Sequence, residues 1–255
     1  MKRNRPFFLI SNDDGYTAKG INELIDTLRP LADLLVVAPE RSRSGMGCAI
    51  TADVPITCEL VRKERGLKVY VCSGTPADCI KLAHAHLLKG RRPDLVLAGI
   101  NHGDNSSVNA HYSGTMGAVY EGALHGYPSM AFSLCDFNPD ADFTPLRPYI
   151  IDLVFKAITV GLPHFSCLNV NFPKCEKFKG TKVCRMAYTQ WDNEFTKAKR
   201  PQGGTVYWLT GDRRDIGEPQ EDTDSWALAH GYVAITPVTL DVTSYGLLEI
   251  LNNVL

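Results

Sequence analysis

Short apolar runs alternate with amphipathic segments along the first half of the chain. The apolar runs lie at residues 7–10, 34–38, 69–72, 95–98 and 130–133. Segments with apolar residues at helical spacing lie at residues 20–29, 76–88 and 115–125. Runs that are apolar throughout are typical of strands covered on both faces, and the intervening helices supply the crossovers of a parallel sheet. The pattern therefore predicts an α/β protein with a Rossmann-like, doubly wound and mostly parallel sheet.

The pattern loosens after residue 133, where prolines and polar residues become frequent. It predicts a helix near residues 149–160, strands at 168–172, 183–188 and 205–210, a helix at 223–230, a strand at 232–236 and a terminal helix near 245–255. The polar segment 197–204 separates two of these strands and is typical of a hairpin. We expect this C-terminal β-hairpin and helical region to form an arm for oligomerisation.

One predicted helix, at residues 76–88, carries its own start signals. Thr75 is suited to capping the helix, Pro76 to its first position, and Asp78 adds negative charge to its first turn. His84 and His86 follow on the helix face, where we expect structural histidines rather than ligands.

Composition narrows the class of protein. The chain has 255 residues, 44% hydrophobic and 22% charged, which is enough for one large core. Its net charge of -1 opposes binding to polymeric nucleic acid, which needs many cationic contacts. No apolar window is long enough for a membrane span, and the apolar stretch 7–10 is too short for a signal peptide. The eight cysteines form no C-x-x-C pair, so we expect reduced thiols and a cytoplasmic protein.

Two adjacent carboxylates follow the first predicted strand. Asp13 and Asp14 stand between Asn12 and Gly15, at the carboxyl end of a strand, where open α/β sheets bind their ligands. Carboxylate oxygens in such a crevice are suited to a divalent cation. The same four residues also suit a tight turn that caps the next helix. On these residues alone, both interpretations stay open.

Three further segments follow strands of the same predicted sheet and therefore point to the same edge. Residues 38–47 are rich in hydroxyls, glycine and arginine, and residues 99–105 combine glycines with asparagine amide oxygens, which are neutral ligands for Mg²⁺ or Mn²⁺. Residues 113–115 place hydroxyls and free amides at a helix N-terminus, which favours an anion. Each segment alone is compatible with an ordinary loop or cap. Together they indicate metal-assisted phosphoryl transfer to water.

The ordered set of motifs resembles one known family. The matching stretches are 10–15 (ISNDDG), 36–39 (VVAP) with 43–45 (RSG), 73–79 (SGTPADC), 99–101 (GIN) with Gly103 and Asn105, and 112–115 (YSGT), with a weaker echo at Thr223, Asp224 and 231–237 (GYVAITP). These stretches resemble those of the SurE family of stationary-phase survival proteins, a group of divalent-metal-dependent nucleotidases.

The resemblance implies a site built around one divalent metal ion, Mg²⁺ or Mn²⁺. Its ligands would be Asp13, Asp14, Ser44 and Asn101, completed by water and the substrate phosphate. Asp13 and Asp14 would also be the catalytic residues. The phosphate pocket would be lined by Asn12, Gly45, Gly103, Asn105, Ser113, Gly114 and Thr115.

The resemblance also implies an activity and an assembly. Members of the family hydrolyse nucleoside 5'- and 3'-monophosphates, and often short polyphosphate, and they form dimers or tetramers through exchanged C-terminal arms. We therefore expect a single domain over residues 1–255, with a nucleotidase core at 1–135 and an oligomerisation arm within about 190–255. The expected partners are a nucleoside monophosphate and further copies of the chain, with no polymeric nucleic acid and no membrane.

The residue types suggest how the roles are divided. Adjacent carboxylates repel unless a cation or a proton intervenes, so we expect Asp13 and Asp14 both to hold the metal and one of them to orient water. We expect Ser44 to be a ligand and not a nucleophile, because the chain has no Gly-x-Ser-x-Gly elbow or Ser/His/Asp arrangement. His102 and His111 are candidates for protonating the leaving group. For Arg41 and Arg43, phosphate binding and plain solvation stay open.

Other classes of function make different demands. A phosphatase with an aspartyl-phosphate intermediate would carry an Asp-x-Asp motif after the first strand, whereas Asp13 and Asp14 are contiguous. A dehydrogenase would carry G-x-G-x-x-G there, and this motif is missing. A non-catalytic, nucleotide-binding regulatory module stays the alternative, since it would use the same pocket without turnover.

Overall fold

The computed structural model describes residues 5–218 and 220–255. The strands are β1 (Phe7–Ser11), β2 (Asp33–Pro39), β3 (Cys58–Glu64), β4 (Leu67–Cys72), β5 (Leu95–His102), β6 (Ser129–Leu134), β7 (Ser166–Phe172), β8 (Thr181–Val183), β9 (Thr189–Asp192), β10 (Phe195–Lys199), β11 (Thr205–Leu209), β12 (Asp212–Asp215) and β13 (Val233–Thr239). The α-helices are α1 (Lys19–Leu28), α2 (Pro76–Leu82), α3 (Gly114–Leu124), α4 (Arg147–Val160), α5 (Asp224–Ala229) and α6 (Tyr245–Val254). A π-helical turn, Ala83–Leu87, continues α2, and 3-10 turns lie at Ser107–His111 and Thr144–Leu146.

Nine strands form one sheet in the order β3-β4-β2-β1-β5-β6-β7-β13-β8. The central strands from β4 to β7 are all parallel, and only β3 against β4 and β13 against β7 run antiparallel. The strand order reverses between β1 and β5, so the chain winds outward from β1 in one direction and then from β5 in the other. This architecture confirms the predicted doubly wound, mostly parallel α/β fold, and it places the ends of β1 and β5 side by side.

Apolar clusters cover both faces of the sheet. On β1, Phe8 and Ile10 point into one cluster, with Phe132 and Phe172, while Phe7 and Leu9 point into the other. Alternate residues of a strand face opposite sides, so a strand between two cores must be apolar at every position. This explains why uninterrupted apolar runs identified the central strands.

Several predicted boundaries are wrong. The segment 99–105 was predicted as a loop, but β5 continues to His102, with an irregularity in its pairing to β6 between Ala98 and Asn101. Gly99 has φ +119° there and lies against the carbonyl of Phe132, so a side chain at this position would be excluded. The glycine ended the apolar run in the sequence without ending the strand.

The second half of the chain differs more from the prediction. The strand predicted at 183–188 stops at Val183, because the following residues turn away to bond α5: the amide of Ala187 donates to Asp224. The strand β3 lies between residues 47 and 69, where the sequence pattern predicted no element. It is an exposed, charged edge strand and so lacks an apolar run.

The predicted hairpin is present, although part of its polar segment is itself a strand. Strand β10 pairs with β11, and β9 pairs with β12, both antiparallel, in two small sheets outside the main one. The hairpin exposes Tyr207, Trp208 and Leu209, each more than 60% accessible. Helix α6 has no buried residue and exposes Leu247, Leu248, Ile250 and Leu251. Both elements thus present apolar surface to the outside of this chain.

Among residues 5–218 and 220–255, every helix falls short of the length and apolar character that crossing a lipid bilayer requires. All eight cysteines lie in the described part of the chain and are free thiols.

Candidate active site

Asp13 and Asp14 lie where β1 ends, at the reversal point of the sheet. Asp13 is buried, and Asp14 is half-buried beside it. The hydroxyl of Thr115 in the first turn of α3 donates a hydrogen bond to Oδ1 of Asp13. The backbone amide of His102, at the end of β5, donates to Oδ2 of Asp14 over 3.3 Å. The carboxylates are therefore held between β1, β5 and α3.

Asn101 precedes His102 on β5 and is buried at 8% accessibility. Its side-chain nitrogen donates to the carbonyl of His102 over 3.3 Å and to the carbonyl of Gly103 over 3.0 Å. Strand β5 is the neighbour of β1, and Ser11 is in register with Ala98. Asn101 and the two carboxylates therefore lie at one edge of the sheet, as the sequence predicted.

Ser44 lies on the exposed segment that follows β2. The amide of its neighbour, Arg43, donates to the backbone carbonyl of Asp13 over 2.7 Å, which brings the segment to the site. The Ser44 hydroxyl itself is 2.9 Å from the hydroxyl of Ser42, and Gly45 has φ +75° and open space around it. The structure thus brings the Ser44 backbone close to Asp13, while the Ser44 side chain bonds within its own loop.

The start of α3 lies at the position where the sequence predicts an anion site. Ser113 caps the helix, its hydroxyl accepting from the amide of Met116 over 3.1 Å. Gly114 follows directly against the side chain of Asp13. The free amides of this first turn face the same edge as the carboxylates, and the helix dipole favours an anion there.

The asparagines of the predicted pocket are buried, and their bonds differ. Asn105 donates to the Ser133 hydroxyl over 2.9 Å, and its amide donates to Asn171 over 2.9 Å, so it belongs to a buried polar network. Asn12 donates to the carbonyl of Gly15 over 2.9 Å. Its oxygen, Oδ1, is buried and has no hydrogen-bond partner among the described residues. Such an atom is costly to bury and is available to a ligand.

The two carboxylates resist ionisation in the protein alone. Burial, followed by the charge of Asp14, raises the pKa of Asp13 to about 6. Burial also raises the pKa of Asp14, and the amide of His102 partly offsets this. Neither carboxylate forms an ion pair with a Lys, Arg or His side chain of residues 5–218 and 220–255. A divalent cation would supply the missing positive charge, so these residues fit a metal ion.

Few ionisable side chains lie together as possible metal ligands. Within the described residues, no three His, Cys, Asp or Glu side chains are grouped so as to hold a metal ion. An ion at Asp13 and Asp14 would therefore take its other ligands from neutral oxygens, water or substrate. Such a mixed oxygen set is typical of Mg²⁺ and Mn²⁺ sites.

The remaining polar residues of the edge differ in exposure. His102 is half-buried, with its ring edge against Phe143 at 4.8 Å between centroids, and its Nδ1 has no partner among the described residues. His111 and Arg41 are exposed. The guanidinium of Arg43 donates to the carbonyl of Ser73, so this side chain anchors a loop.

The sequence interpretation missed bonds from the C-terminal half of the chain, made by Arg213 and Asp224, to residues 104–107. Arg213 on β12 pairs with Asp104 at 2.5 Å and donates to the carbonyl of Ser106 over 3.2 Å. The fully buried Asp224 accepts from the amide of Ser107 over 2.8 Å and from its hydroxyl over 2.9 Å. Asp224 belonged to the weak echo in the sequence, but nothing local marked Arg213, because its partner lies more than a hundred residues away.

Comparison with known proteins agrees with this geometry. The family model described as Survival protein SurE matches residues 8–193. The chain belongs to the SurE family. A SurE-family relative in Bacteroides thetaiotaomicron, named 5'-nucleotidase SurE, is 52% identical over 99% of this chain and 97% of its own length. Another of the same name, in Bacteroides fragilis, is 50% identical over 99% of both chains.

A solved structure supports the same assignment. The crystal structure of the SurE protein from Aquifex aeolicus is 36% identical, with a TM-score of 0.81 over 98% of this chain and 99% of that one. The predicted membership of the SurE family is thus confirmed, as is the α/β fold.

Proposed function

We propose that the protein is a phosphomonoesterase that hydrolyses nucleoside 5'- and 3'-monophosphates to nucleoside and phosphate, and also cleaves short polyphosphate. The observation that carries this proposal is the adjacent pair of buried Asp13 and half-buried Asp14 beside the N-terminus of α3, with no ion-pair partner among residues 5–218 and 220–255. Two carboxylates beside a helix N-terminus would fit a divalent cation together with a substrate phosphate. Relatives that match over nearly the full chain carry the name 5'-nucleotidase.

The proposed site uses one divalent ion, Mg²⁺ or Mn²⁺. Its ligands are Asp13, Asp14, Ser44 and Asn101. The phosphate pocket consists of Asn12, Gly45, Gly103, Asn105, Ser113, Gly114 and Thr115. When bound, the ion supplies Lewis-acid polarisation of the phosphoryl group and lowers the pKa of water.

The residues of the chain perform the rest of the work. The amides at the start of α3 bind and orient the phosphate. Asp14 is the more accessible carboxylate, so it orients the attacking water, while Asp13 is held by Thr115. His102 lies beside Asp14 through its backbone amide and is the better-placed candidate for returning a proton to the leaving alkoxide.

Phosphate release from a panel of nucleoside monophosphates tests the activity. We expect release that stops with EDTA and returns with Mg²⁺ or Mn²⁺. Asp14→Asn should lower kcat/KM by more than about 100-fold, since loss of outer partners alone costs 10–100-fold in such sites. The matched control, Asp152→Asn, changes a surface aspartate that pairs with Lys156. Nucleotide binding without turnover would instead identify a regulatory module.

The same panel tests the specificity. Paired 3'- and 5'-esters of each base, and tripolyphosphate, are compared at equal metal concentration. Release from the nucleotides but not from tripolyphosphate would remove the polyphosphate part of the proposal and leave the rest intact.

We further propose a homodimer or homotetramer formed through the segment from about 190 to 255, with residues 1–135 as the catalytic core. The support is the exposed apolar surface of the β10–β11 hairpin and of α6. Burying such surface between copies is favourable. Sedimentation equilibrium of wild type and of Trp208→Glu tests this, because a monomeric wild type would contradict it. A cytoplasmic location, supported by the eight free thiols, is tested by cell fractionation.

A further inference from the structure

The turn between β4 and α2 belongs to the family motif at residues 73–79, yet the proposed chemistry does not use it. Asp78, in the first turn of α2, belongs to the same motif and is only 4% accessible. Asp78 accepts from the amide of Thr75 over 2.9 Å, and the Thr75 hydroxyl accepts from the amide of Asp78 over 3.1 Å. This reciprocal pair is a capping box and explains one part of the carboxylate's bonding.

The other part is directed at a different segment. The amide of Thr51 donates to Oδ2 of Asp78 over 3.1 Å, and the Thr51 hydroxyl donates to the same oxygen over 2.6 Å. No Lys, Arg or His of residues 5–218 and 220–255 forms an ion pair with this carboxylate. Thr51 is therefore a main partner of a buried charge, and bonds to charged groups are the stronger ones.

Thr51 ends the segment 40–51, which carries Ser44 and is called the Ser44 loop here. Residues 44–46 and 48–50 are exposed, so burial does not hold the loop in place. Hydrogen bonds hold it. The backbone amide of Glu40 donates to the carbonyl of Cys72 over 2.8 Å, and the Thr75 hydroxyl donates to the carbonyl of Ala49 over 2.7 Å.

These ties connect the Ser44 loop to the site. At one end the amide of Arg43 bonds the carbonyl of Asp13, and its guanidinium bonds the carbonyl of Ser73. In the middle, the amide of Gly47 donates to the carbonyl of Tyr112 over 3.0 Å. At the other end, only the bonds to Thr75 and Asp78 join the loop to α2. Hydrogen bonds to Asp13 and to Asp78 thus hold the Ser44 loop near its two ends.

The turn itself is built for close approach of Asp78. A β-carbon on Gly74 would lie 2.7 Å from Asp78 Cβ and 2.8 Å from its Oδ2, so a side chain there would push the carboxylate away. Glycine at this position leaves room for the Asp78 carboxylate. The carboxylate then accepts hydrogen bonds from Thr75 in the capping box and from Thr51 in the loop.

We propose that Asp78 is a positioning residue that holds the Ser44 loop against Asp13 and Asp14, so that the loop completes the divalent-cation site. This inference rests on the metal site of the proposed function. Asp78 touches neither ion nor substrate and acts through Thr51.

The test separates loop anchoring from helix capping. Thr51→Val removes the hydroxyl donor and leaves the capping box intact, whereas Thr51→Ser keeps the donor. Hydrogen exchange of the amides in residues 44–51 reports the loop, and electron paramagnetic resonance titration of Mn²⁺ reports the ion. We expect about tenfold faster exchange and about tenfold weaker Mn²⁺ binding in Thr51→Val, corresponding to loss of one bond to a charged acceptor, with near wild-type values in Thr51→Ser.

Asp78→Asn is the second variant, since an amide keeps the size but weakens the acceptor. Thr27→Val is the matched control, because Thr27 bonds only the carbonyl of Glu23 within α1. Wild-type exchange and Mn²⁺ affinity in both Thr51→Val and Asp78→Asn would overturn the proposal. If the wild type binds no Mn²⁺ or releases no phosphate, the proposed function fails, whereas unchanged loop exchange in the variants is what refutes the role of Asp78.

Discussion

Gly114, the first residue of α3, packs on the side chain of Asp13. A β-carbon on Gly114 would lie 2.8 Å from Asp13 Cβ and 3.0 Å from its Oδ2. The helix N-terminus, which attracts anions, therefore touches a residue that we assign to cation binding. Only a residue without a side chain allows the start of α3 to approach Asp13 so closely.

Gly114→Ala should therefore displace Asp13 and lower kcat/KM by about 10–100-fold, as loss of a supporting contact does in metal sites. Alanine favours a helix over glycine by roughly 0.5–1 kcal/mol, so helix propensity does not explain a loss. Gly246→Ala is the matched control, because Gly246 lies in the first turn of α6 with open space around it. Phosphate release and the Mn²⁺ dissociation constant are measured for both. Equal activity in the two variants would contradict the close-packing argument.

The raised pKa of Asp13 predicts that its ionised carboxylate destabilises the metal-free protein, although the same carboxylate is proposed to bind the metal ion. The pKa rises from 3.8 unfolded to about 6 folded, so the folded protein binds the proton more tightly. The free energy of unfolding of the metal-free protein should therefore fall as pH rises from about 4 to 6, by on the order of 1–3 kcal/mol from this group. Asp13→Asn removes the ionisable group. The variant should therefore be more stable than wild type at pH 7 but not at pH 4.

Urea unfolding with EDTA at both pH values measures this difference. Adding Mn²⁺ should reverse the order at pH 7, because only the wild type retains both of the carboxylates proposed to bind the ion. Asp152→Asn, at an exposed aspartate, should change stability by less than about 0.5 kcal/mol at either pH. An Asp13→Asn variant less stable than wild type in EDTA at pH 7 would refute the interpretation.

The sequence predicted the central sheet and the cluster at its edge for one physical reason. Strands buried on both faces are apolar throughout, and the ends of parallel strands meet at one edge, so local patterns determined where Asp13, Asn101 and Ser113 would lie. The strand continuing to His102 was missed because Gly99 interrupts the apolar run while its backbone conformation keeps the chain in the sheet.

Long-range pairs between polar residues could not be predicted in this way. Strand β9 pairs with β12 across the intervening hairpin, and their residues are partly exposed, so no apolar run marks them. The bonds of Asp224 to Ser107 and of Asp78 to Thr51 join segments whose meeting depends on the whole fold. The motif at residues 73–79 was visible, but its partner was not.

Two phenylalanines near opposite ends of β7 predict unequal costs for the same substitution. Phe172 on β7 is fully buried among Phe132, Tyr149 and Phe178, whereas Phe165 is 53% accessible. Phe172→Ala should lower the free energy of unfolding by about 3–5 kcal/mol, since it leaves a cavity in the core. Phe165→Ala should cost less than about 1 kcal/mol. Urea denaturation of the two variants decides, and similar costs would show that the core at β7 is not packed as described.

The ion pair between Arg213 and Asp104 predicts that Arg213 contributes more to stability than its neighbour Arg214. The side chains of Arg213 and Asp104 are 20% and 15% accessible, so removing Arg213 leaves a partly buried carboxylate unpaired. Arg213→Ala should lower the free energy of unfolding by about 1–3 kcal/mol. It should also lower kcat/KM several-fold, because Asp104 directly precedes Asn105 of the proposed pocket.

Arg214→Ala is the control, since Arg214 pairs with Asp192 of β9 and both side chains are more accessible, at 59% and 39%, so the loss should be less than about 1 kcal/mol. The double variant Arg213→Ala with Asp104→Ala should be less destabilised than the sum of the single variants, with a coupling above about 0.5 kcal/mol. Thermal unfolding and phosphate release are followed for the wild type, the three single variants and the double variant. Additive effects, or equal losses in Arg213→Ala and Arg214→Ala, would mean that β12 does not hold the loop beside the phosphate pocket.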